Sequence, residues 1–196
     1  VQCPDHSFFV VDSGHYFQFN DNDRIHRFMR ERTPKEEKIV VNGWLITHAH
    51  SDHISKLMDF LRYNCDDVVI EGFYGNLIDP KYDVDGDWDI EEILLSEKLF
   101  RQLDGIDVPK YKLHSGMHFT VRNLSFDVMC THEDIFPHKM PDYNDSSCAV
   151  MMTVGTTKVF IPGDCSALAS EVLEARYGDE LGCDVVQVAH HGHSGL

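Results

Sequence analysis

Apolar residues along this chain recur in two rhythms, and its polar clusters fall where those rhythms stop. "HSFFVVDSGHYFQF" (6–19) and "IVVNGWLI" (39–46) are rich in β-branched and aromatic residues, as buried strands are. The first carries Asp12 into a turn at Gly14, and the second ends where histidines begin. Between them, "NDNDRIHRFMRERTPKEEK" (20–38) is charged and broken at Pro34, which reads as a surface helix with loops. Ile54, Leu57, Met58 and Leu61 then recur at helical spacing and predict an amphipathic helix over "ISKLMDFLRY". "DVVIEGFY" (67–74) predicts another buried strand. A longer helix is predicted over 87–105, with Asp89 and Glu92 at capping-box spacing and Gly105 as its stop.

Hairpins follow. "MHFTVRNLSFDVMCTH" (117–132) alternates around Arg122–Asn123, and "CAVMMTVGTTKVFIPGD" (148–164) makes two strands about Gly155–Thr156. Residues 166–178 predict a helix capped by Ser166, and "DVVQVAH" (184–190) predicts a buried strand with a histidine at its end. Asp12, His48, Asp164 and His190 thus each close an apolar strand. Strand ends along one sheet edge are where a fold presents site residues rigidly.

With 196 residues, 42% of them hydrophobic, the chain fits one domain over 1–196. No apolar run approaches the roughly 20 residues of a membrane span, and no signal peptide is recognisable, so no membrane contact and a cytoplasmic location are expected. The chain starts at Val1 and ends on "AHHGHSGL", in mid-motif, as a segment trimmed at both ends would. The sequence leaves the oligomeric state open. Six scattered cysteines without a C-x-x-C pair read as reduced, mostly buried thiols. The net charge of -16 opposes long polyanions, so no duplex DNA binding is expected.

Histidine changes the picture, with 13 copies. "LITHAHSDHISKL" (45–57) places His48, His50, Asp52 and His53 within six positions. On an extended segment His48 and His50 project to the same side and can grip one divalent ion. Asp52 and His53, at the turn into the following helix, point elsewhere and can begin a second site. Imidazole with carboxylate suits zinc, iron or manganese better than calcium or magnesium. Later strand ends offer the remaining ligands: Asp164 in "FIPGDCS" to bridge two ions, His190 in "VQVAHHGHSG" for the second, and His132 in "VMCTHED" for the first. His191 and His193 are candidate donors to substrate oxygens or to the leaving group. His191 can also exchange roles with His190. "YDVDGDWDIEE" (82–92) fails as a calcium loop, because Gly86 falls at position four from Asp83 rather than six.

H-x-H-x-D-H after an apolar strand resembles the metallo-β-lactamase fold superfamily. "FFVVDSG", "FIPGDCS" and "VQVAHH" resemble its other motifs, in the expected order, from about residue 8 to residue 193. The resemblance implies an α/β (α+β) fold: an αββα four-layer sandwich with metals at one edge. It also implies His48 and His50 at site one, Asp52, His53 and His190 at site two, and Asp164 between them. Two zinc ions per chain would then be bound, with manganese or iron as alternatives. The implied reaction is hydrolysis by a metal-bound hydroxide, with Asp52 ligating or orienting the nucleophile and Asp12 bracing the loop.

One stretch departs from the pattern. Many members carry a histidine for site one where this chain reads "YNDSSCAV", with Asn144 and Asp145. Either His132 reaches in, or site one is incomplete, or a single ion binds. "NDSSCAVMMTVGTTKVFIPGDC" followed by "DVVQVAHHGHSG" is most similar to the hydrolase domain of the DNA-internalisation competence (ComEC-like) group. That similarity implies a phosphodiester substrate, either single-stranded nucleic acid or a nucleotide-like small molecule. The acidic charge favours a small or neutral substrate instead, so a lactone, thioester or β-lactam hydrolase is the rival enzyme. A non-catalytic, metal-stabilised scaffold is the third reading.

Overall fold

The run at 39–46 forms the central strand of one of two sheets in a computed structural model, which describes residues 1–17, 21–63, 66–83, 86, 88–136, 138–140 and 143–193. This strand, β2 (Ile39–Ile46), is flanked by β1 (Phe8–Val11) on one side. On its other side lie β3 (Val68–Ile70) and then β4 (Phe73–Gly75), with β5 (Lys110–Lys112) beyond β4; every pairing is parallel. A parallel strand is covered on both faces, so it reads as a continuous apolar run. Leu45 packs with Phe9 and Phe126 between the sheets, while Trp44 and Ile46 pack with Ile54, Leu57 and Phe60 on the helical side. The strand expected over 67–74 is interrupted at Glu71–Gly72, whose backbone still bonds Val41 O and Trp44 N of β2.

The second sheet is antiparallel over β6 (His118–Val121), β7 (Leu124–Cys130), β8 (Ala149–Val154) and β9 (Thr157–Ile161). Its hairpins turn where expected, at Arg122 (φ 54°) and Gly155 (φ 61°). β10 (Val185–Val186) adds one parallel pairing to β9. The buried strand expected over 184–190 is therefore a two-residue edge, with Val185 52% and Val186 56% exposed. Lying at the sheet's margin, it pairs on one side only among the described residues.

Helices α1 (Asp21–Arg30), α2 (Ser51–Tyr63) and α3 (Ile90–Asp104) pack together over the first sheet. The short α4 (His132–Ile135) and α5 (Ala167–Tyr177) cover the second. The result is the four-layer αββα sandwich. Its inter-sheet core centres on Phe9 and Phe126, with ring centroids 4.5 Å apart. Gly43 makes that approach feasible, since a Cβ there would sit 2.4 Å from the Phe9 ring.

Several local expectations change. Helix α2 begins at Ser51, so Asp52 and His53 lie in its first turn rather than before it. Asp89 caps α3 by accepting from Glu91 N, but Glu92 closes no capping box. Its carboxylate instead accepts from Ser51 N and Ser51 Oγ, both at 2.7 Å, and so caps the neighbouring helix. Ser166 precedes α5 without a side-chain cap bond. Five described cysteines are free, four of them buried; Cys65 lies outside the described residues. No described helix is long and apolar enough to cross a membrane.

Candidate metal centre

Parallel pairing sends β1 and β2 to the same edge, and β9 finishes there too. Asp12 follows β1, Thr47 and His48 follow β2, and Asp164 follows β9. Asp12 adopts φ 52°, a left-handed conformation rare outside glycine and better tolerated by Asp than by most residues. It is fixed by Asp12 N donating to Leu45 O at 2.9 Å and Trp44 Nε1 donating to Asp12 O at 3.1 Å. Gly163 has φ 63°, and a Cβ there would meet Ser147 Oγ and Thr47 Cβ at 3.0 Å. Glycine makes that turn without strain, and the turn aims the next residue, Asp164, into the site. Ser147 Oγ then accepts from Asp164 N at 3.0 Å.

Four side chains from three segments converge: Asp52, His53, Asp164 and His191 place one ligand atom each within 4.8 Å of one another. His53 Nε2 lies 3.1 Å from Asp164 Oδ2 and 3.2 Å from His191 Nε2. His191 Nε2 lies 3.0 Å from Asp52 Oδ2 and 3.3 Å from Asp164 Oδ2. Donors held about 2.0–2.1 Å from one zinc ion in a tetrahedron stand about 3.3–3.4 Å from each other, and these separations, with 3.7 Å from His53 Nε2 to Asp52 Oδ1, bracket that value. Asp164 Oδ1 is buried without a hydrogen-bond partner among the described residues, leaving a carboxylate lone pair for an ion.

Hydrogen bonding sets which ring nitrogens face inward. Carboxylates only accept, so His53 Nδ1 donates to Asp12 Oδ2 at 2.9 Å and its Nε2 turns to the cluster. Thr47 N donates to Asp12 Oδ1 and Thr47 Oγ1 donates to Asp12 Oδ2, each at 2.8 Å. Having spent its one hydrogen, Thr47 Oγ1 accepts from His48 Nδ1 at 3.1 Å, which leaves His48 Nε2 facing inward with a lone pair. Such carboxylate–histidine contacts orient metal ligands and raise their basicity.

Burial pushes the His48 pKa well below its ordinary value, assisted by the neighbouring histidines, so this ring is neutral. At His53 burial opposes charge too, but hydrogen bonds to Asp12 and Asp164 outweigh it and raise its pKa to about 10. Burial likewise works against the charge of Asp164, yet His53 and then His191 hold that carboxyl below its ordinary value.

Beside this group, His48 Nε2 lies 3.2 Å from His50 Nδ1 and 3.9 Å from Asp164 Oδ2. Asn144 Oδ1 lies 2.9 Å from His50 Nδ1. His48 and His50 therefore do face one another, as their spacing indicated.

Three of the residues singled out from sequence are placed elsewhere. His132 does not reach the first site: it opens α4, where Thr131 and Asp134 form the capping box, and its Nδ1 bonds Asn76 O at 3.1 Å. His190 stays outside the cluster, its N donating to Gly163 O at 3.3 Å. Its ring lies 5.4 Å from that of His193, which is also outside. His190 and His191 are both left-handed, at φ 48° and 53°, and this double turn brings His191 to the cluster in place of His190. The sequence reading also passed over Thr47 and Ser147, which hold the ligands in place, and it gave Glu92 only a capping role in its own helix, not the bonds to Ser51. The hydroxyl directly before "HAHSDH" was the available sign of Thr47.

No protein-family model matches the chain, and no curated protein matches it. Among solved structures, zinc-bound PqqB from Methylobacterium extorquens is similar with a TM-score of 0.54 and 14% identity, over 95% of this chain and 57% of its own. A Cronobacter sakazakii metallo-β-lactamase with a HARLDQ motif gives a TM-score of 0.51 and 9% identity, over 90% of this chain and 64% of its own. The chain spans less than two thirds of either protein. At such identities the likeness concerns architecture, and with two facing sheets and helices outside both, the chain has the metallo-β-lactamase fold.

Proposed function

We propose that the chain is a metal-dependent hydrolase acting on a phosphodiester, either single-stranded nucleic acid or a nucleotide-like molecule. The observation that carries this reading is the convergence of Asp52, His53, Asp164 and His191 at one sheet edge, with donor spacings that fit a divalent cation. Zinc suits this set of imidazoles and carboxylates, and manganese or iron are the alternatives. Such a cation supplies Lewis acidity and draws the pKa of water down toward about 7. The chain's own groups do the remaining work. Asp164 and His53 are buried and hold their positions through Ser147 and Asp12. Asp52 is 39% exposed at the mouth, so its carboxylate can orient a nucleophile or take its proton.

The ComEC-like motifs around Asn144, Asp164 and His191 favour the phosphodiester. A second reading, hydrolysis of a lactone, thioester or β-lactam, is favoured by the net charge of -16, which repels polyanions. The test is turnover by zinc- or manganese-loaded protein on a single-stranded oligonucleotide, bis(p-nitrophenyl) phosphate and a lactone panel, beside His53→Ala. Phosphodiester cleavage lost in the variant supports the first reading. Lactone turnover alone moves the assignment to the second. Tight metal with no turnover on any substrate leaves a metal-stabilised scaffold.

A further inference from the structure

The place where the chain lacks a histidine is occupied by a different donor. His48 Nδ1 is committed to Thr47, so His48 Nε2 presents a lone pair inward. That nitrogen lies 3.2 Å from His50 Nδ1, which lies 2.9 Å from Asn144 Oδ1, and the Asn144 carboxamide also contacts His48. One hydrogen on His50 Nδ1 can lie along only one of these contacts. His48 is fully buried and Asn144 is 8% exposed, so bulk water does not separate the donors. Asp164 Oδ2, the oxygen that also faces His53 and His191, stands 3.9 Å from His48 Nε2, so this carboxylate lies between the two groups of donors. The separation of 3.2 Å is close to the edge of a tetrahedral zinc shell, about 3.3–3.4 Å, and that of 2.9 Å reaches it with a shift of about half an ångström.

We propose that Asn144 gives its amide oxygen to a second cation position with His48, His50 and the Asp164 carboxylate, and that this position is the weaker and fills last. The inference deepens the hydrolase reading and rests on it. The asymmetry follows from the donors. The first position has two carboxylates and two imidazoles, whereas the second has two imidazoles, a neutral amide oxygen and a share of one carboxylate. A neutral oxygen holds zinc less tightly than an imidazole or a carboxylate, so one ion per chain is the first loaded state. His132, turned toward Asn76, adds nothing to this position.

The experiment is a stepwise zinc titration by calorimetry of the chelator-stripped chain and of Asn144→Ala, Asn144→Asp and Asn144→His, with metal-free melting curves to verify folding. The wild type should show two classes of site separated at least tenfold. Asn144→Ala should weaken the second class at least tenfold, and Asn144→Asp and Asn144→His should tighten it, with the first class within threefold throughout. If Asn144→Ala does not fold, the other two variants decide the matter. Two equal classes in the wild type, or a weaker class that no substitution moves, overturn the assignment and leave the metal-centre reading standing. Zinc bound at neither position overturns both.

Discussion

Asp12 Oδ2 stands 2.9 Å from His53 Nδ1, and the same oxygen accepts from Thr47 Oγ1 at 2.8 Å. One carboxylate thus orients two histidines, His53 directly and His48 through the threonine. Asp12→Asn tests this coupling, because asparagine tolerates the left-handed backbone while losing the charge. Zinc affinity should fall about 10–100-fold, the usual cost of removing an outer partner of a ligand. Stability should fall by about 1–3 kcal/mol from the impaired buried hydrogen bonds. Equilibrium dialysis and urea melts read the two effects; an unchanged zinc affinity would remove Asp12 from the site.

The tandem histidines give a second test. His191 Nε2 is within 3.3 Å of Asp52, His53 and Asp164, whereas the ring of His190 packs beside His193. His191 is 54% exposed, so truncating it costs little packing. His191→Ala should weaken zinc binding at least tenfold (about 1.4 kcal/mol or more), and His190→Ala should change it less than about threefold. The reverse order of effects would restore His190 as the ligand.

The layers, the hairpins and most strand ends were legible because burial on a sheet imposes a period that composition reveals. Asp12, His48 and Asp164 announced themselves by closing apolar runs. Which histidine of the 190–193 turn enters the cluster was not legible, since it depends on left-handed backbone at His190 and His191, and Gly192, which shares that conformation, marks a turn without saying which ring it directs inward. His132 misled for a similar reason. It follows β7 as a strand-end ligand would, but Thr131 and Asp134 turn the chain into α4 and direct the ring to Asn76. Glu92 matched a local capping pattern, yet its bonds go to Ser51, 41 residues away, which no local pattern encodes.

Gly163 carries a third prediction. Its φ of 63° strains any side chain, and a methyl group 3.0 Å from Ser147 Oγ and Thr47 Cβ would force those neighbours to give by a few tenths of an ångström. Gly163→Ala should cost about 1–3 kcal/mol through backbone strain. It should also displace Asp164, lowering zinc affinity by at least an order of magnitude. Melting curves with and without zinc separate the two effects. A destabilised variant that binds zinc normally would show that the turn serves the fold and not the aim of Asp164.

The last prediction concerns acid. Glu133 of α4 accepts from Lys112 Nζ of β5 at 2.8 Å and from His114 Nδ1 at 2.7 Å, tying α4 to the end of β5. Partial burial opposes its charge, yet Lys112 and His114 hold its pKa at about 2, below the ordinary 4.5. Because the folded value is depressed, the stabilisation is complete above pH 4.5 and is lost as pH falls through about 2. Glu133, Lys112 and His114 are 37%, 60% and 49% exposed, so solvent screening limits the effect to less than about 1 kcal/mol. Glu133→Gln should therefore be slightly less stable than the wild type at neutral pH, with the gap closing toward pH 2. Urea midpoints at neutral, mildly acidic and strongly acidic pH measure it, and added salt should narrow the neutral gap. A difference of the same size at every pH would assign the loss to packing, and the charged tie between β5 and α4 would then contribute nothing measurable.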